Sequence, residues 1–168
     1  MKMNMNKLNV IYEDNHIIVV EKEPNIPSQA DKTGDIDMLS LVKQYVKEKY
    51  NKPGEVYIGL VHRLDRPVGG IMVFARTSKA ASRLSEQIRN KTFKKKYLAV
   101  VEGKFENKKG SLEDYLYKDE RNNISKVVNK DKKNAKLAKL DYEVLNYDDK
   151  RDLSLVKIDL HTRKTSSN

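Results

Sequence analysis

Two apolar runs constrain this chain more than anything else in it. Val56-Tyr57-Ile58-Gly59-Leu60-Val61 and Ile71-Met72-Val73-Phe74-Ala75 both read as buried strands, and the segment from His62 to Gly70 lies between them. Pro67 restricts Arg66 to extended geometry. Gly69 and Gly70 permit backbone conformations closed to other residues. The segment therefore reads as a shaped loop that holds one carboxylate, Asp65, at a sheet edge between Arg63 and Arg66. Nearby guanidinium charge favours the ionised carboxylate, and an ionised, positioned carboxylate can serve as nucleophile or general base. Local physics alone favours a plainer reading, a salt-bridged turn without chemistry, because charge pairs in turns are common.

The rest of the chain supplies a frame for that loop. Val10-Ile11-Tyr12 and Ile17 to Val20 read as two strands joined across Glu13-Asp14-Asn15-His16. Pro24, Pro27 and Gly34 mark a loop. Met38, Leu41, Val42, Tyr45 and Val46 recur at helical spacing, with Asp35 or Asp37 as cap. A second helix, capped by Thr77 or Ser78, carries the stripe Ala80, Ala81, Leu84 and Ile88, and Tyr97 to Val101 is a strong strand ended by Gly103. Residues 104–139 are polar and Lys-rich, with weak strand signals at Leu112–Leu116 and Lys126–Val128. Tyr142–Leu145 and Leu153–Leu160 are the last strands, and the latter alternates as a half-buried strand must. The pattern is α+β and strand-dominated, with helices flanking a sheet.

Composition narrows the partners. The chain has 168 residues, 35% of them charged, and a formal net charge of +10. Lys and Arg in such excess suit a polyanion, because they displace condensed counterions from phosphates. The competing reading is a merely solvated lysine surface. With no cysteine, disulfides, thiol catalysis and cysteine-ligated zinc are excluded. His16, His62 and His161 lack paired ligand spacing, so no metal is expected. No run approaches the ~18 apolar residues of a membrane span, and the N-terminus lacks an apolar leader segment, which predicts a cytoplasmic protein. A second basic signal, Phe93-Lys94-Lys95-Lys96-Tyr97, suits a phosphate contact followed by base stacking, although taken alone it reads better as a strand whose Tyr97 is core and whose lysines are solvated.

His62-Arg63-Leu64-Asp65, continuing through Gly70 into Ile71–Ala75, resembles the signature of RluA-type RNA pseudouridine synthases. Thr77–Leu84 is similar to the helix that follows it in that family, and Lys96–Gly103 to the family's second motif. Val10–Gln29 resembles its opening strands and loop, and Ala135–Ala138 with Tyr142–Leu145 the approach to its third motif. The resemblance implies a mixed, mainly antiparallel sheet with flanking helices over residues 10–164, between tails at 1–9 and 165–168. It also implies cofactor-free isomerisation of uridine to pseudouridine in tRNA or ribosomal RNA. Asp65 would be the essential carboxylate. Tyr97 would stack on the target base and take part in proton transfer at carbon 5, and Arg63 would fill the space left by a flipped nucleotide. His62, Arg66 and Lys96 complete the expected substrate-binding set, with His62 read more as a loop brace than as a contact.

Two expectations follow from where the resemblance stops. The family's third motif, of the form Thr-Gly-Arg-Lys-His-Gln-Ile-Arg, supplies a basic partner for the aspartate, whereas this chain reads Leu160-His161-Thr162-Arg163-Lys164-Thr165. Arg63, Arg66, Arg163 or Lys164 would have to substitute. The chain is also expected to lack the C-terminal part of the fold, leaving an unpaired sheet edge and exposed apolar surface, and to bind RNA through residues 89–109 and 118–139 without a separate RNA-binding module. The alternative is an inactive fragment that retains RNA binding.

Overall fold

The structure is a computed structural model and describes residues 8–122 and 124–161. The chain divides into two compact units, Met1–Thr92 and Phe93–Asn168.

In the first unit, strands β1 (Val10–Glu13), β2 (Ile17–Lys22), β3 (Gly59–Leu60) and β4 (Gly70–Ala75) form a sheet of order β1-β2-β4-β3 in which every pair is antiparallel. Asp14 makes the first turn, its Oδ1 accepting from the amides of His16 and Ile17 at 2.7 and 2.8 Å. Helix α1 (Met38–Lys49) starts where the sequence places it, with the Asp37 carboxylate accepting from the Ser40 amide. Its buried stripe Met38, Val42 and Val46 packs with Ile18 and Val20 of β2 and Met72 and Phe74 of β4 to make the core. Each such side chain contributes about 1.5–3 kcal/mol by leaving water. Helix α2 (Ser78–Arg89), capped by Thr77, packs on β3 and β4.

The expected strand Val56–Val61 is paired only at Gly59 and Leu60. Ile58 is buried all the same. Its apolar run reflects packing rather than ladder formation, which a burial pattern alone cannot distinguish.

The second unit is one antiparallel sheet of order β5-β9-β8-β6-β7, made of β5 (Lys96–Glu102), β6 (Lys109–Asp119), β7 (Ile124–Val128), β8 (Lys136–Asp148) and β9 (Leu153–Leu160). β9 has the bounds read from its alternation. β6 and β8 run far beyond their apolar signals because Lys109–Leu116 pairs with Lys136–Glu143 along nearly its whole length. Main-chain bonds extend this strand pair through residues that are exposed or only half-buried. Both sheets fit the α+β class read from the sequence and the mainly antiparallel pairing that the resemblance implies.

Candidate active site

The His62–Gly69 loop leaves β3 and returns into β4, and the segment 22–35 grips it at several points. Ser28, 6% exposed, bonds both main-chain groups of Leu64. Its hydroxyl donates to the Leu64 carbonyl at 2.7 Å and accepts the Leu64 amide at 3.1 Å. One residue beyond Asp65, the Arg66 carbonyl accepts from the Asn25 amide at 2.7 Å and from Lys22 Nζ at 3.0 Å. The Val68 amide closes the turn on the Asp65 carbonyl at 2.9 Å.

Glycine is needed where the loop ends. A Cβ on Gly69 would lie 3.0 Å from Pro24 Cδ, and Gly70 has φ +149°. His62 is buried, and its Nε2 accepts the Val73 amide at 3.0 Å where β3 has ended. An accepting Nε2 requires that nitrogen to be unprotonated.

Lys22 continues the inward row of Ile18 and Val20 at the end of β2, opposite Gly70, and is fully buried. Its ammonium donates to three carbonyls, those of Glu23, Ile26 and Arg66. Burial pushes it below the ordinary lysine range and the Arg66 charge acts in the same direction, while the Asp65 carboxylate opposes both. Lys22 thus lies within electrostatic reach of both Asp65 and Arg66.

The arginines behave differently from the sequence expectation. The Arg66 guanidinium turns away to Asp31, Thr33 and Asp35, pairing closely with Asp35. Arg63 is exposed. Among the described residues, nothing hydrogen-bonds or ion-pairs with the Asp65 carboxylate, which is itself exposed. Arg163 and Lys164 lie outside the described residues. The main chain on either side of Asp65 is therefore braced, and its carboxylate is exposed.

In the second unit, β5 alternates exposed Lys96, Leu98, Val100 and Glu102 with half-buried Tyr97, Ala99 and Val101. Tyr97 stands opposite Ile158, which stands opposite Tyr142, and Tyr142 opposite Gly110. Lys96 heads the neighbouring row, opposite Asp159, and lines a shallow groove of about 440 Å³ with Lys109, Asp141, Glu143 and Lys157. A larger groove, about 760 Å³ between α1 and residues 51–56, contains none of the expected site residues. Sequence reading missed Lys22 and Ser28. The available signal was a lysine in phase with the apolar row of β2, since a strand's inward position should not carry a charge without partners.

The description RNA pseudouridylate synthase belongs to the family whose profile matches residues 16–167. The chain belongs to this family. The relatives it matches include members of the RluA type, in line with the resemblance of the Asp65 loop. An uncharacterised RNA pseudouridine synthase of Bacillus subtilis is 30% identical over 95% of this chain and 51% of its own length. The ribosomal large subunit pseudouridine synthase D of Borreliella burgdorferi is 31% identical over 81% of this chain and 42% of its own length. The chain spans about half the length of the curated relatives it matches. The solved human RNA pseudouridylate synthase domain containing 4 superposes with a TM-score of 0.75 at 20% identity, covering 94% of this chain and 60% of the human one. That similarity carries the fold of the family.

Proposed function

We propose that this chain isomerises specific uridines of tRNA or ribosomal RNA to pseudouridine, with Asp65 as the catalytic carboxylate. The observation that carries the reading is a family match over residues 16–167 whose signature aspartate is braced through its neighbours and, among the described residues, has no partner of its own. The net change breaks the bond from the ribose anomeric carbon to N1 and forms one to carbon 5, while carbon 5 loses a proton and N1 gains one. Nothing is oxidised or reduced, and the chain's own acids and bases suffice. Asp65 opens the reaction at the sugar, either by attack on the anomeric carbon or by assisting proton removal beside it. Tyr97 stacks on the base and serves the proton transfer at carbon 5. Arg63 and Lys96, both exposed, contact the RNA, whereas His62 and Arg66 act by holding the loop.

RNA is the partner that the net charge of +10 favours. The relatives named for the ribosomal large subunit support ribosomal RNA as the first substrate to try. The β6–β7 hairpin, with Lys118, Arg121 and Lys126, offers phosphate contacts. Among the described residues no helix is long and apolar enough to cross a membrane, and a cytoplasmic setting fits an RNA substrate. The test is to incubate the chain with unmodified ribosomal RNA and tRNA transcripts and separate the digested nucleosides. Pseudouridine above the no-protein control supports the reading. Its absence, with RNA still bound, leaves an inactive RNA-binding fragment.

A further inference from the structure

We infer that Ser28 is the positioning residue of the Asp65 loop. Its catalytic consequence rests on the uridine-isomerase reading, and its structural consequence on geometry alone. Ser28 lies 36 positions before Leu64 in the chain, yet its one hydroxyl bonds both the N–H and the C=O of that residue. A paired strand residue would supply the same two hydrogen bonds. Here they occur where β3 has already ended at Leu60 and the loop has no ladder to hold it.

A hydroxyl has one proton. The Leu64 carbonyl at 2.7 Å is a far better acceptor than the Met72 sulfur at 3.7 Å, so the proton goes to the carbonyl, and a lone pair remains for the amide. At 6% exposure, water does not readily replace either bond. Leu64 directly precedes Asp65, so fixing both of its main-chain groups fixes the direction in which the Asp65 side chain leaves the backbone. The carboxylate itself has no partner among the described residues that could correct an error. The other anchors are the Arg66 carbonyl and guanidinium on the far side of Asp65, and His62, which accepts the Val73 amide three residues before Asp65. Ser28 secures the near side through its side chain.

Removing the hydroxyl should loosen the loop while leaving the core, which the hydroxyl meets at the Met72 sulfur at 3.7 Å, largely intact. Ser28→Ala and Ser28→Thr are compared with the full chain. Amide hydrogen exchange is read at Leu64 and at the core residues Val20 and Phe74, and tritium release from RNA labelled at uridine carbon 5 is read beside RNA affinity. For Ser28→Ala, Leu64 exchange should quicken at least ~10-fold with Val20 and Phe74 unchanged. Turnover should fall ~10- to 100-fold with RNA affinity held, as expected when a reacting group is misplaced by a fraction of an ångström to an ångström. Ser28→Thr, which keeps the hydroxyl, should recover most of both. Unchanged Leu64 exchange, unchanged turnover, or a turnover loss matched by equal loss of core protection overturns the proposal. If the unmutated chain releases no tritium, the isomerase reading fails by itself, and the holding role is decided by the Leu64 exchange.

Discussion

Lys22 Nζ donates at 3.0 Å to the carbonyl of Arg66, so a fully buried ammonium ends one residue past the signature aspartate. All three of its protons go to carbonyls, and it draws residues 23–26 and the Asp65 loop around one charge. A buried charge is tolerated only when it is satisfied in this way.

Lys22→Met keeps the length and removes the donors. Three carbonyls then face a methyl group, and unsatisfied buried acceptors cost about 1–3 kcal/mol each. Some of that is returned because no charge need be buried. We expect a net loss of about 3 kcal/mol, read as a lower urea midpoint with unchanged slope. An unchanged midpoint contradicts the bracing role.

The Arg66 clamp should be insensitive to mild acid. Asp35 is held below the usual aspartate value of 3.8 by its hydrogen bond from Arg66 and by Thr33, and Asp31 by its bonds from Thr33 with Arg66 adding. Both folded values are depressed, so the unfolded chain binds more protons at low pH. The clamp's contribution is complete above 3.8 and is lost as pH falls through the lower folded values. Side-chain carboxyl carbon shifts should titrate with midpoints below 3.8 in the native chain, and Arg66→Gln should move both midpoints upward.

Gly70→Ala places a side chain at φ +149°, where L residues are strained. We expect a cost of about 1–3 kcal/mol, seen in thermal melts. Turnover should fall further than stability alone explains, because the strain is relieved through the loop that carries Asp65. Equal activity per folded molecule would contradict this.

RNA binding should weaken steeply with salt. Substituting Lys118 or Lys126 by Gln should lower affinity roughly equally for all RNA sequences. It should also reduce the slope of log affinity against log salt by about 1 for each phosphate that is no longer neutralised. A slope unchanged in both variants would assign these lysines to solvent.

Legibility in the sequence followed the physics of each element. Helices α1 and α2 were readable because Asp37 and Thr77 cap them and their stripes face a core. β9 was readable because Val156 and its neighbours alternate. β6 and β8 were readable only in part, since cross-strand main-chain bonds hold residues such as Lys109 and Lys139 that bury little. In the site, the Asp65 loop stood out through its motif. Arg66 looked like a partner for Asp65 by proximity in sequence, but the carboxylates of Asp31 and Asp35, more than thirty residues away, take its guanidinium. Ser28 had no local signal, because its role is set by a contact across 36 positions.

The most direct measurement is tritium release from ribosomal RNA and tRNA labelled at uridine carbon 5, by the chain and by Asp65→Asn, with both shown to fold cooperatively and to bind RNA alike. The account predicts release by the chain and a loss of at least ~10³-fold in the variant, the scale of removing an essential acid or base group. Release that survives in Asp65→Asn, or none from the unmutated chain, would contradict it.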